Sequence, residues 1–374
     1  MAFIIHSPFG RREPIILNTT NDVVSQIWNE LALIRHTKSN YIKGKKSIPP
    51  WIDQAKIYFT DAISSNWRSS GLLFYYSYLN LAKALLVGKG LFSYKQLNTN
   101  SIYHGLSAEL QDIKSLTDYI IKIHPKKLRH YDNVFANLYT TTTNKSWPFR
   151  NSIEIKLSEI LQFCISISSE IFEIYKIPPV CAFVQSLIRI DKSFIWYEIL
   201  SDNYYVKSII NLLNKFLIEV VPRNKFLEID KYDWLLAYNR NTRSLRASSF
   251  IRTKKIKYNN KNKDQIIKKL SDNIVLKLKS FSFPCVNSIN ENSKWIILPK
   301  IELNKKILNW HPILSDYLFS FALSSILRYQ PQLLKTNTYN SFITESWCQQ
   351  SSITLLKYFL MIFTYPPKIV KSYR

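Results

Sequence analysis

The spacing of apolar residues divides this chain into two kinds of sequence. Towards both ends, apolar side chains recur every three or four residues, which is typical of amphipathic helices. In the middle, short runs of aromatic and β-branched residues are typical of strands. The pattern predicts an α+β protein that is mostly helical, with a strand-rich middle region between a helical bundle and C-terminal helices.

The length of 374 residues suggests two domains, or one large domain with an insertion, at roughly 150 residues per domain. We predict a helical domain over residues 1–178 and a basic, mixed α/β region over residues 179–303. The C-terminal helices of residues 304–374 are expected to pack back onto the first domain.

The apolar patterns also predict individual elements. Helices are expected over residues 21–35, 51–63, 70–87, 107–122, 152–175, 204–220, 264–279, 312–330 and 340–363. Strands are expected over residues 183–190, 194–200, 226–238, 248–258 and 294–301. The basic tail, residues 366–374, is expected to be loose.

Composition excludes several classes of site. The chain has six glycines and no Gly-rich phosphate loop, since Gly44-Lys45-Lys46-Ser47 lacks the upstream glycine of a P-loop. No cysteine or histidine cluster has the spacing of a zinc site. We therefore predict no cofactor and no metal. The four cysteines are far apart, which is typical of free thiols in a reducing compartment.

No segment of the sequence is typical of export or membrane insertion. The start of the chain lacks the basic region of a secretory signal, and the most apolar late stretch, residues 355–363, is shorter than the roughly 20 residues that cross a bilayer. We expect a cytoplasmic protein with no membrane partner.

The chain is strongly basic, with 51 Lys and Arg against 26 Asp and Glu and a net charge of +25. Residues 240–279 hold 13 basic and two acidic side chains, a net charge of +11. Arginine forks suit phosphate, and the aromatic residues between them can stack on bases. A solvated lysine-rich surface, a membrane surface or AT-rich codon use would also account for this charge. The candidate nucleic-acid contacts are Arg240, Arg243, Arg246, Arg252, Lys254, Lys255 and Lys257.

Two segments resemble one known family. The first is SSGLLFYYSYLNLAKALL, residues 69–86, followed by His104-Gly105-Leu106. The second is WHPILSDY, residues 310–317, continuing to SSILRYQP, residues 324–331. Their order and separation resemble the YaaC-like proteins of bacteria, over about half of the chain. That resemblance implies no particular activity.

The first segment also resembles the Tyr-Tyr and Ala-Lys-Ala-Leu helix of HEPN domains. This resemblance implies a helical bundle, and a relation to toxins, antitoxin partners and antiviral effectors. Many HEPN domains are metal-independent ribonucleases with an arginine four to six residues before a histidine. None of the six histidines of this chain has an arginine at that distance.

Three side chains are candidates for catalysis. His104 suits a general base, or a hydrogen bond to backbone at a tight turn. Lys83 shares a helix face with Asn80, so the two either form a polar network or line a pocket. Arg328 either binds an anion or complements the dipole at the end of its helix. His311, a candidate polar core residue, is placed to cap the helix that starts at Pro312.

These observations support three hypotheses on function. The first is a protein that binds nucleic acid, with RNA expected rather than DNA. For this hypothesis, the resemblance to HEPN domains implies a role in bacterial defence, either as an effector or as the partner of an effector. The second is a divergent ribonuclease that uses His104 with Arg328 or Lys83. The third is a non-catalytic scaffold that binds a protein partner or a second copy of the chain through aromatic surfaces.

Overall fold

The structure is a computed structural model. It describes residues 2–5, 15–20, 22–36, 42, 44, 46–98, 101–109, 113–128, 131–180, 183–201, 227–229, 232–237, 249–253, 256–269, 282–284, 294–297, 300–335, 338–364 and 368–372. The protein is α+β, as predicted.

The chain forms two compact units. The smaller unit comprises Met1–Pro14 and Val180–Lys300, and the larger comprises Ile15–Pro179 and Ile301–Arg374. The C-terminal segment thus belongs to the same unit as the N-terminal helices. The boundaries between the units, at residues 179/180 and 300/301, lie close to the predicted domain boundaries at residues 178 and 303. The first 14 residues, however, belong to the smaller unit and not to the N-terminal helical domain.

The smaller unit is built on an antiparallel sheet of nine strands. Numbered along the whole chain, its strands are β1 (Ala2–Ile5), β9 (Phe183–Ile190), β10 (Phe194–Ser201), β11 (Leu227–Ile229), β12 (Tyr232–Ala237), β13 (Ser249–Thr253), β14 (Ile256–Lys257), β15 (Ser282–Pro284) and β16 (Lys294–Ile297). These strands confirm the predicted strand-rich middle region. Residues 263–269 are helical, as predicted for the start of the 264–279 segment. Residues 204–220 lie outside the described part.

The larger unit contains the helices. They are α1 (Val23–Ala32), α2 (Pro49–Ser64), α3 (Trp67–Gly88), α4 (Tyr94–Asn98), α5 (Val134–Thr143), α6 (Leu157–Leu161), α7 (Ser168–Tyr175), α8 (Pro312–Tyr329), α9 (Tyr339–Ser346) and α10 (Ser352–Phe363). A π-helical segment, Trp347–Ser351, joins α9 to α10. The Asp22 carboxylate caps α1 by accepting a hydrogen bond from the Ser25 N–H at 2.9 Å.

Short strands accompany these helices. They are β2 (Ile15–Thr20), β3 (Ile102–Tyr103), β4 (Leu106–Ala108), β5 (Ile120–Ile123), β6 (Lys127–Leu128), β7 (Tyr131–Asn133), β8 (Ile153–Lys156), β17 (Lys300–Leu303), β18 (Lys306–Asn309) and β19 (Lys368–Ser372). The order β4-β5-β8 forms a three-stranded antiparallel sheet with β4 at one edge. This sheet positions the candidate site described below.

Helices α3 and α8 form the centre of the larger core. Gly71 of α3 lies where a Cβ atom would be 3.1 Å from the Leu323 Cβ and 2.9 Å from the Leu327 Cδ1, so the two helices approach closely. Further along α3, the buried Tyr78 hydroxyl donates to the Ser352 carbonyl of α10 at 2.7 Å. The two segments that carry the family resemblance are therefore packed against each other.

Three predictions are wrong in whole or in part. Residues 107–122 form no continuous helix: β4 and β5 stand at its ends and a 3₁₀ turn, Leu116–Asp118, lies between them. The predicted 152–175 helix begins as β8, where Ile153 and Ile155 are buried and the residues between and after them are exposed. This alternation with period two is the strand signal, but it is only four residues long. The tail is also ordered in part, because β19 pairs in parallel with β2.

Candidate functional site

A cleft of about 370 Å³ opens in the larger unit between α3, β4 and α8. Its lining combines the rings of four tyrosine or phenylalanine residues, one histidine, one arginine and several small or aliphatic residues. The lining residues are Tyr75, Tyr76, Leu79, His104, Leu106, Ser107, Ala108, Phe321, Ser325, Arg328 and Tyr329. Volumes of roughly 300–1,000 Å³ are typical of sites for small ligands. Two of the three predicted catalytic candidates, His104 and Arg328, lie in this lining.

One wall of the cleft is a face of α3. Asn66 caps this helix, with its side chain accepting from the Arg68 N–H at 3.0 Å. Tyr75 and Leu79 are one helical turn apart, so their side chains lie on the same face of α3. Tyr76, next to Tyr75, also lines the cleft. The Tyr75 ring meets the Phe321 ring of α8 edge to face at 5.4 Å between centroids. Burial raises the pKa of the Tyr75 hydroxyl well above its usual value, so it stays neutral.

The His104 turn forms the second wall. Gly105 adopts φ +85°, a conformation that favours glycine, and a side chain there would overlap the carboxamide of Asn133. The turn brings the His104 Nδ1 within 3.2 Å of the Leu106 N–H, from which it accepts a hydrogen bond. This is the backbone contact that the tight-turn interpretation of His104 predicted.

The surroundings of His104 keep its ring neutral. Burial, with smaller contributions from the charges of His124, Lys83 and Arg328, lowers its pKa to about 4. Because Nδ1 accepts from backbone, the neutral ring carries its proton on Nε2. His104 is therefore equipped to donate a hydrogen bond, whereas a general base requires a free acceptor nitrogen.

Arg328 lies at the cleft mouth, in the last turn of α8. Its Nε donates to the Ser324 carbonyl at 3.0 Å, which fixes the side chain against the helix end, and its guanidinium lies 5.2 Å from the centroid of the Tyr329 ring. The residue is exposed, and no carboxylate in the described part of the chain forms an ion pair with it. Its terminal nitrogens therefore remain available to an anion.

Lys83 stands one turn beyond Leu79 on α3, outside the lining residues. Its ammonium group lies 4.9 Å from the centroid of the Trp51 ring, a cation–π contact. Partial burial lowers the pKa of this lysine. Lys83 is thus close enough to influence His104 by charge, and Asn80 is buried on the same helix.

His311 lies in the core, away from the cleft lining. Its Nδ1 accepts from the Ile313 N–H at 3.1 Å, so it caps α8 as predicted. Burial lowers its pKa to about 3, and its ring meets the Tyr358 ring edge to face. This geometry gives His311 a structural role.

The predicted nucleic-acid contacts lie in the smaller unit. Arg252 is in β13, where the backbone register places it opposite Glu198 of β10. Lys257 is an exposed residue of β14, opposite Phe194. The others, Arg240, Arg243, Arg246, Lys254 and Lys255, lie outside the described residues.

Two parts of the site were missed at the level of sequence. The first is the aromatic lining, because tyrosine at helical spacing is usually core, and Tyr75 and Phe321 are indeed buried although they also line the cleft. The second missed feature is a polar relay beside the cleft, in which the His124 Nε2 lies 3.0 Å from the Ser107 hydroxyl and its Nδ1 lies 2.9 Å from the Ser152 hydroxyl. Strand alternation is the signal that would have placed these three residues on one sheet face.

Neither a metal centre nor a membrane span is found in the described part of the chain. There, no three histidine, cysteine or acidic side chains are grouped as metal ligands would be. Among the same residues, no helix combines the length and apolar character that crossing a membrane requires.

The fold and cleft define a class, an α+β protein in which two packed helices and the edge of a small sheet enclose a cationic, aromatic cavity. Within that class, the chain matches the model of the YaaC-like protein family over residues 17–354, and it belongs to that family. Searches of curated proteins and of solved structures find no match.

Proposed function

We propose that this protein binds single-stranded nucleic acid, RNA in preference to DNA, and that the cleft of the larger unit receives one nucleotide. The observation that carries the proposal is the pairing of the exposed guanidinium of Arg328 with the aromatic rings of the cleft. An arginine suits a phosphate, and an aromatic ring stacked on a base contributes about 1–3 kcal/mol.

The charge of the chain supports the same proposal. A net charge of +25 favours a polyanionic partner, and the segment 240–279 alone holds +11. In this proposal, the basic residues from Arg240 to Lys257 contact phosphates in a manner independent of sequence. The neutral N–H of His104 suits a sugar hydroxyl or a phosphate oxygen, and a contact with the 2′-hydroxyl would favour RNA.

The first experiment is purification at low salt, followed by measurement of absorbance near 260 nm and of anisotropy with labelled single-stranded RNA and DNA. We expect bound nucleic acid that added salt removes. Replacing Lys254, Lys255 and Lys257 by glutamate should weaken RNA binding at least tenfold.

The matched control reverses three exposed lysines elsewhere, Lys56, Lys95 and Lys145, which changes the net charge equally. Equal affinity of the two triple variants would reduce the proposal to a non-specific effect of net charge. Co-purification of a stoichiometric protein without nucleic acid would instead support the scaffold hypothesis.

RNA cleavage is the second candidate function, because Lys83 and Arg328 both lie close enough to His104 to lower its pKa. The donor geometry of His104 favours binding over general-base catalysis. Turnover of labelled RNA by the purified protein tests this candidate, and His104→Ala should abolish that turnover. Intact RNA at high protein concentration would leave only the binding function.

A further inference from the structure

The edge of β4 that faces the cleft carries backbone groups that no other strand uses among the described residues. Two hydrogen bonds at the two ends of the β4–β5 pair set the pattern: the His124 N–H donates to the Gly105 carbonyl at 2.9 Å, and the Glu109 N–H donates to the Ile120 carbonyl at 3.4 Å. In an antiparallel pair, hydrogen-bonded residues alternate with residues whose backbone groups point away. The groups of Leu106 and Ala108 therefore point away from β5.

The outward edge of β4 lies in the cleft wall. Leu106 and Ala108 both line the cleft, and β4 is the terminal strand of its sheet within the described residues. The Leu106 N–H confirms this direction, because it donates to the ring of His104, another lining residue. Three outward groups are left without a backbone partner among the described residues, the Leu106 carbonyl and the N–H and carbonyl of Ala108. The first two are an acceptor and a donor next to each other on the strand edge.

We infer that this acceptor–donor pair hydrogen-bonds to the Watson–Crick edge of one unpaired nucleobase, with the Leu106 carbonyl accepting and the Ala108 N–H donating. Each of the four RNA bases has a donor and an acceptor next to each other on that edge, so a base takes the place of the missing neighbouring strand. The inference rests on the proposed function and specifies how the cleft binds its ligand.

The other walls suit the same ligand. The rings of Tyr75, Tyr76 and Phe321 provide apolar surface for a planar base, and Arg328 at the mouth is placed for the adjoining phosphate. A base in a duplex has already used its Watson–Crick edge. The cleft therefore selects single strands or bases that have left the stack.

The experiment on the wild-type protein compares oligonucleotides of equal charge and length. Oligouridine is compared with oligo-3-methyluridine, in which a methyl group blocks the Watson–Crick edge, and with oligo-5-methyluridine, in which the methyl group lies elsewhere. Oligoadenosine and oligo-N6,N6-dimethyladenosine form a second pair. We expect edge methylation to weaken binding at least tenfold in one pair or both, and 5-methylation to leave it unchanged.

A pair of protein variants tests the strand edge itself. Ala108→Pro removes the outward N–H without removing a hydrogen bond to β5, because proline is tolerated on the free side of an edge strand. Ala108→Val retains the N–H. The proline variant should bind oligouridine about as weakly as the wild type binds oligo-3-methyluridine, and the valine variant should retain the discrimination.

The outcomes separate this inference from the function it rests on. Equal affinity for edge-methylated and unmethylated oligonucleotides in both pairs would overturn the inference and leave nucleic-acid binding standing. Weak binding of every oligonucleotide, with no dependence on charge reversal, would overturn the proposed function. If Ala108→Pro fails to fold, the comparison of oligonucleotides on the wild-type protein still decides.

Discussion

The most demanding single position in the cleft wall is Gly105. Its φ of +85° is unfavourable for a residue with a side chain, and a Cβ atom would displace Asn133. Asn133 is fully buried, caps α5 through the Ala136 N–H at 3.0 Å, and donates to the His124 carbonyl at 2.7 Å. One methyl group added at Gly105 therefore disturbs the turn itself, the cap of α5 and the hydrogen bond from Asn133 to the His124 carbonyl.

We predict that Gly105→Ala lowers the free energy of unfolding by about 2–4 kcal/mol, as the sum of backbone strain and a lost cap. Urea denaturation measures it. Gly88→Ala is the matched control, since Gly88 has no positive φ and the nearest atom to a methyl group there would be the end of the Ile48 side chain, at 3.2 Å. An equal effect of the two substitutions would show that Gly105 is not strained.

Asp316 is a buried acid at the centre of the larger core. Its Oδ1 accepts from the Trp347 Nε1 at 3.0 Å, at the start of the π-helical segment. Burial raises its pKa to about 7, although hydrogen bonds from Trp347, Cys164 and Ser351 lower it. The raised pKa means that the folded protein retains a proton that the unfolded chain loses near pH 4.

The free energy of unfolding should therefore fall between about pH 4 and pH 7 through Asp316, by up to about 4 kcal/mol. His311 and His104 act in the opposite sense, because their lowered pKa values of about 3 and about 4 make stability rise with pH up to roughly 6.5.

Comparison with Asp316→Asn isolates the acid. Relative to the wild type, this variant should gain stability as pH rises from 4.5 to 8, as measured by urea denaturation at both values. Parallel changes in the two proteins would mean that Asp316 is ionised throughout.

At the scale of elements, the close approach of α3 and α8 depends on one small residue. A Cβ atom at Gly71 would lie 3.1 Å from the Leu323 Cβ, which is held by its own backbone. We predict that Gly71→Val destabilises the protein by about 2–3 kcal/mol through overpacking, as measured by thermal unfolding. Ser69→Val, at an exposed position of the same helix, should change stability by less than about 1 kcal/mol.

Long elements were predictable and short ones were not. Helices α3 and α8 extend over 22 and 18 residues, so their apolar spacing repeats over several turns, and proline marks the start of α8. Strand β4 has three residues, too few for alternation to show, and it was assigned to a helix. Because β4 supplies part of the cleft wall, the sequence suggested that His104 acts with Arg328 but did not predict the cleft that they share.

At the scale of the whole molecule, both units are basic. The smaller unit has 24 Lys and Arg against 11 Asp and Glu, a net charge of +13 in 135 residues, and the larger unit carries the remaining +12 in 239 residues. Basic charge is thus denser in the unit that contains the candidate phosphate contacts. Binding of a polyanion should release counterions in proportion to the phosphates that are neutralised.

This relation assigns a specific role to Arg328. For single strands, the logarithm of the affinity falls with the logarithm of salt concentration by about 0.7 for each phosphate contact. If Arg328 contacts one phosphate, Arg328→Gln should reduce the magnitude of that slope by about 0.7 and weaken binding at low salt. Anisotropy titrations of labelled RNA from about 50 to 200 mM salt measure both. Arg150→Gln, an exposed arginine outside the cleft lining, should leave the slope unchanged. Weaker binding with an unaltered slope would instead mean that Arg328 contributes by stacking or packing. The loss of a phosphate contact always lowers the number of released counterions and therefore changes the slope.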